Sequence, residues 1–199
     1  MKTLFFYGTL RHLALLDRVL GRSHDTLDIA TAALPGYAVL SAVDGPFPVL
    51  VADDAATAPG IAVRGLTDGD VARLDYYEGG FAYDLRDLAL DSGEVARVYV
   101  PVPGSWATQG PWDLAEWERD WAAMSVAAAE EVMDGFGVVS PDEIARRFPR
   151  IRARAWSRVL AQQSRHGVGV LDGRVEIVSR TRAYTGFFGL DEIQLRHEA

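Results

Sequence analysis

Before residue 104 the apolar residues of this chain come in short runs, and the gaps between most of them hold little more than a turn. The runs are Leu4–Tyr7 and residues 33–42, 47–53, 60–66, 83–91 and 94–102, separated by Pro, Gly and Asp clusters. Two helical segments interrupt them. One covers residues 10–20, with Leu13, Leu16 and Leu20 at helical spacing; the other covers 67–79, with Thr67 or Asp68 as N-cap and Val71 and Leu74 facing inward. Regular parallel strands need a crossover of a dozen or more residues. Many strands with few helices therefore predict an α+β fold, a small mixed sheet curled into a barrel over residues 1–104.

From Pro111 the period changes. Leu114, Trp117, Trp121, Met124 and Ala128 share one helical face that ends near Gly135. A second helix starts at Ser140-Pro141, breaks at Pro149 and runs on to Gly167. Together they predict a helical hairpin over residues 105–168. Trp117 and Trp121 lie on the face that must be buried and read as packing. Residues 169–199 return to alternation through Val175, Ile177, Phe187, Leu190, Ile193 and Leu195, which predicts two or three strands in need of a partner.

The turn after the first run asks for more than packing. Gly8-Thr9 joins the strand to the following helix, and such a turn exposes backbone N–H groups that can hold an anion. It is either a plain turn or a carboxylate cradle. The chain has no cysteine, which removes thiol catalysis, disulfides and zinc-thiolate sites. His12, His24, His166 and His197 show no ligand spacing, and there is no G-x-S-x-G elbow, Walker loop or G-x-G-x-x-G. Neither a metal nor an organic cofactor is expected. The N-terminal apolar run is too short for a signal peptide and no run reaches membrane-spanning length, so the expected location is cytoplasmic. A net charge of −8 argues against nucleic acid as a partner, although the seven arginines between Arg146 and Arg165 form a +7 segment beside a remainder of −15. That segment reads as a solvated helix face paired with acidic neighbours.

Carboxylates remain. In the stretch LDYYEGGFAYDLR, Glu78 ends a short helix, sits among Tyr76, Tyr77, Phe81 and Tyr83, and precedes Gly79-Gly80, where a ligand could approach the backbone. Aromatic walls would desolvate this carboxyl and raise its pKa toward the range of proton transfer. Otherwise it is a surface glutamate at a helix end.

The pairing of FFYGTL at residues 5–10 with LDYYEGG at 74–80 resembles the γ-glutamylcyclotransferase family, with its AIG2-like and γ-glutamylamine branches. FPVLV at 47–51 and GIAVRGL at 60–66 fall in the family's order, so the likeness spans about residues 2–102. The resemblance implies that Tyr7, Gly8, Thr9 and Leu10 bind the substrate's α-carboxylate, that Glu78 is the catalytic acid/base and that Tyr83 contributes to binding. The family places an arginine two residues after that tyrosine, whereas Arg86 stands three after. The implied reaction is cyclisation of a γ-glutamyl group to 5-oxoproline, with release of an amine or amino acid and no metal. Residues 174–197 are similar to the first strands of ADP-ribose pyrophosphatases of the Nudix superfamily, without the Nudix box. The alternative function is thus a metabolite-binding regulatory module at the front of a Nudix fusion. The partners expected are a small γ-glutamyl substrate and either a second copy of the chain or a Nudix domain, with no membrane.

Overall fold

The computed structural model describes residues 2–79, 81–167, 174–185 and 189–198, with side chains as far as residue 162. It divides into two compact units, Met1–Val159 and Leu160–Ala199. The first unit is built on a six-stranded mixed sheet in the order β4-β5-β1-β3-β2-β6, curled into a half-barrel. The strands are β1 (Lys2–Phe6), β2 (Asp28–Ala42), β3 (Pro48–Leu66), β4 (Tyr83–Ala89), β5 (Val95–Pro101) and β6 (Thr108–Pro111). β1 runs parallel to β5 and antiparallel to β3, and every other pairing is antiparallel. This is the α+β architecture that the short connections require.

The helices are α1 (Leu13–Leu20), α2 (Asp68–Glu78), α3 (Leu114–Met133) and α4 (Pro141–Gly167). β1 explains the layering. Leu4 and Phe6 join the buried cluster formed with the helices, while Phe5 and Tyr7 point into the cluster enclosed by the curl. A strand buried on both faces must be apolar throughout, as Leu4–Tyr7 is. Four buried residues of α1, Leu15, Leu16, Val19 and Leu20, pack on the same side as Val71 and Leu74 of α2. α2 begins with a complete capping box, in which Thr67 accepts from the Asp70 N–H and Asp70 accepts from the Thr67 N–H. α3 begins at Asp113, whose carboxylate accepts from the Glu116 N–H at 2.8 Å.

Several local readings are corrected. Residues 48–53 and 60–66 belong to one strand, β3, because β2 begins at Asp28 and pairs with both stretches of it, opposite residues 48–52 and 57–64. The register shifts between Pro35 and Tyr37, which hides the continuity. Pro59 looks like a break in sequence, yet it stays in the ladder opposite Ala33, while Asp53-Asp54 fall where the register shifts. In α1 Leu16 and Leu20 are buried as expected, joined by Leu15 and Val19, whereas Leu13 is 36% exposed. β6 lies past residue 104 and extends the sheet beside β2.

Pro149 does not break the second helix, and α4 is continuous through it. Its buried stripe, Ile144, Ile151, Ala155 and Val159, lies on both sides of the proline and holds the two halves on one axis. The hairpin of α3 and α4 is fastened by stacked Trp121 and Trp156, 5.7 Å apart, and by Arg158 donating to the Ala127 carbonyl at 2.6 Å. Four of the seven arginines of the basic segment pair with acidic neighbours, as expected. Arg146 and Arg147 meet Glu143, and Arg154 and Arg158 meet Glu131. Among the described residues no helix is long and apolar enough to cross a membrane. In the second unit β7 (Arg174–Thr185) pairs antiparallel with β8 (Gly189–Glu198). The expectation that these strands need a partner concerns side chains that lie outside the described residues.

Candidate active site

Immediately after β1 the chain makes a tight turn at Thr9–Arg11. The N–H groups of Arg11 and His12 close it on the Gly8 and Thr9 carbonyls, both at 3.0 Å. Those of Thr9 and Leu10, at its head, have no acceptor within the turn. Gly8 is required here by a close approach. A Cβ on it would lie 2.7 Å from Cγ of Pro48, the first residue of β3. The glycine thus lets the turn sit against β3, which sequence reasoning did not supply as its reason.

The turn opens onto a cavity of about 400 Å³. Tyr7, Gly8, Thr9 and Leu10 line it, and so do Tyr77, Glu78, Tyr83 and Tyr99. All six residues singled out in the sequence therefore meet at one cavity, although 70 residues separate Gly8 from Glu78. Three local devices bring this about. The capping box starts α2 at a defined residue, Leu74 and Val71 anchor its inner face, and the helix ends at Glu78 beside the strands.

Glu78 faces the cavity without a paired cation among the described residues, and burial raises its pKa to about 7. Around it stands a shell of phenols. Tyr7 donates to the Tyr99 carbonyl at 3.0 Å, Tyr99 donates to Asp75 at 2.6 Å, and the Tyr83 ring lies 6.4 Å from that of Tyr99. Burial raises the pKa of Tyr7, Tyr77, Tyr83 and Tyr99, so all four stay neutral near pH 7. The Glu78 carboxyl is thus placed in the cavity lining to gain and lose a proton close to neutrality.

Three expectations do not place their residues here. Tyr76 points the other way, into the core, with its ring 5.3 Å from that of Phe136. Gly79 serves the end of α2, since a Cβ on it would lie 2.4 Å from the Asp75 carbonyl, and Gly80 lies outside the described residues. Arg86 alternates to the outer face of β4 and pairs with Asp84 at 3.0 Å. Conversely, sequence reasoning missed Phe47, Trp106, Phe148, Asp44 and Arg152, which also line the cavity. Trp106 carried a legible signal, standing in the polar stretch Gly104–Gln109 where no core asks for a tryptophan. No group of three or more His, Asp or Glu suited to a metal ion occurs among the described residues.

The sequence model of the family described as gamma-glutamyl cyclotransferase, AIG2-like, matches residues 4–121, more than half of the chain. The chain belongs to this family. The segment matched to the AIG2-like family includes the turn, Glu78, Tyr83 and Trp106, whereas Phe148 and Arg152 on α4 fall beyond it. Among solved structures, this family member is similar to the Arabidopsis thaliana protein At5g39720.1, at 22% identity over 59% of this chain and 80% of that one, with a TM-score of 0.49. It is also similar to At3g28950.1 of the same organism, at 20% identity over 87% and 95% of the two chains with a TM-score of 0.47. A structure titled gamma-glutamyl cyclotransferase matches at 10% identity over 78% and 98%, with a TM-score of 0.46. No curated protein sequence matches.

Proposed function

We propose that the cavity cyclises the γ-glutamyl group of a small γ-glutamyl compound to 5-oxoproline. The observation that carries this reading is that a desolvated glutamate, with its pKa near 7, and an N–H-bearing turn line the same cavity. The substrate holds its own nucleophile, so the protein needs to fold it and move protons. The head of the Gly8–Leu10 turn takes the α-carboxylate, and the glutamyl arm folds back until the α-nitrogen reaches the γ-carbonyl carbon. A C–N bond forms to close the five-membered ring, and the bond from that carbon to the leaving nitrogen breaks.

Two protons leave the α-ammonium on its way to the lactam N–H, and two arrive on the departing nitrogen. Glu78 relays them, accepting from one nitrogen and giving to the other. An α-amino group has a pKa of about 8. A carboxylate near 7 therefore accepts its proton at a cost of only about 1 kcal/mol, whereas an ordinary glutamate would pay several times as much.

The test is release of 5-oxoproline from a panel of γ-glutamyl compounds by the unaltered protein and by Glu78→Gln. The variant keeps the shape and loses the proton carrier, so turnover falls about 10²-fold or more. In the unaltered protein kcat/KM falls below about pH 7, as Glu78 becomes protonated in the free protein. Binding of a γ-glutamyl compound without 5-oxoproline, or unchanged turnover in Glu78→Gln, would return the chain to the metabolite-binding reading.

A further inference from the structure

Five aromatic rings around the cavity form an unbroken chain of contacts. Phe47 meets Trp106 at 5.8 Å between ring centroids, and Trp106 meets Tyr83 at 5.1 Å. Tyr83 meets Phe81 at 6.4 Å, and Phe81 meets Phe148 at 5.7 Å. The five come from separate parts of the sequence: the β2–β3 connection, the β5–β6 connection, the approach to β4 and its first residue, and α4. All of them line the cavity. None belongs to the fully buried core, for Phe81 is 39% exposed and the other four are half-buried. Rings drawn from four segments and left open toward one concavity make an apolar subsite rather than a piece of core.

We propose that these rings hold the group that leaves, and that this group carries an aromatic side chain. The inference rests on the γ-glutamyl reading of the same cavity. The turn and Glu78 engage the polar ends of the glutamyl arm, whose apolar part is only two methylenes, too little to occupy a wall of five rings. The departing amine or amino acid must occupy what remains. Offset and edge contacts at centroid spacings of about 4.5–7 Å are how aromatic rings accept another ring, and the chain leaves ring faces and edges to offer. Asp44 and Arg152 bring opposite charges to the lining, so the common property of the wall is its aromatic surface and not one sign of charge. Phe148, the last ring of the chain, lies beyond the segment matched to the family. Selection of the leaving group is thereby assigned in part to α4.

The experiment measures binding by calorimetry to the full chain carrying Glu78→Gln, which cannot relay protons and so leaves the ligand intact. Two matched pairs are compared: γ-glutamyl-phenylalanine with γ-glutamyl-alanine, and γ-glutamyl-benzylamine with γ-glutamyl-methylamine. The aromatic member of a pair binds at least about tenfold more tightly, and Phe148→Ala narrows the difference to threefold or less. Trp106→Leu, in an exposed connection, gives the same narrowing and covers the case in which Phe148→Ala disturbs α4. A difference in both pairs supports the proposal with the ring alone as the determinant; a difference in the amino-acid pair only supports it with a carboxylate required beside the ring. Equal affinities in both pairs, no binding of any of the four, or a difference that survives both substitutions overturns it. Release of 5-oxoproline by the unaltered protein is scored separately, so the cyclisation reading and the aromatic preference fail independently.

Discussion

Glu78→Gln should stabilise this protein above neutral pH while lowering its turnover about 10²-fold or more. Burial raises the Glu78 carboxyl from the ordinary 4.5 to about 7, so the folded state holds this proton more tightly than the unfolded chain does. Between those two values the folded state keeps the proton and the unfolded state has lost it. Stability therefore declines as pH rises across the window, and the full penalty is present above pH 7. At 1.36 kcal/mol per pKa unit the penalty amounts to about 3 kcal/mol. Glutamine has no charge to desolvate. The variant should match the parent near pH 4 and exceed its stability by about 2–3 kcal/mol at pH 8. Urea denaturation of both proteins, followed by tryptophan fluorescence at several pH values, reads the difference directly, because contributions from other groups cancel between them. A variant equal to the parent at pH 8, or less stable, would refute the desolvation on which the proton relay depends.

Two further substitutions test the supports of the site. Gly8→Ala places a Cβ against the rigid ring of Pro48, so it should cost about 1–3 kcal/mol by overpacking and weaken ligand binding; Pro48→Ala in the same chain should recover part of both losses, as read by urea denaturation and calorimetry. Asp70, buried and held by Arg22 at 2.7 Å, has its pKa lowered to about 2, chiefly by that hydrogen bond. Its stabilisation of about 2 kcal/mol is fully present above about pH 4 and is lost as pH falls toward 2. Asp70→Asn should therefore be less stable at neutral pH and show a shallower acid-unfolding profile over that interval.

The parts of this protein legible in the sequence are those governed by near neighbours. The Leu4–Tyr7 run is apolar on both faces because β1 is buried on both. The start of α2 was legible to within one residue, at Thr67 or Asp68, because capping is complete within four residues; the structure settles it on Thr67 with Asp70 as its partner. The same locality singled out the Gly8-Thr9 turn and Glu78, a strand-end turn and a glutamate among aromatics, while the roles of Tyr7–Leu10, Glu78 and Tyr83 came from the family resemblance. Tertiary structure decided the rest, because it depends on contacts between distant residues. Pro59 and Pro149 read as breaks from their own chemistry, but pairing along β2 and the buried stripe of α4 outweigh the local preference of a single proline. Gly8 owes its necessity to Pro48, 40 residues on. Tyr76 and Tyr77 are adjacent and chemically alike, and only the orientation of α2 sends one to the core and the other to the cavity. The aromatic wall is wholly of this kind. Phe47, Trp106 and Phe148 carry no shared pattern in the chain, and become one surface only when sheet curvature and the α3–α4 hairpin bring their rings together around a common space.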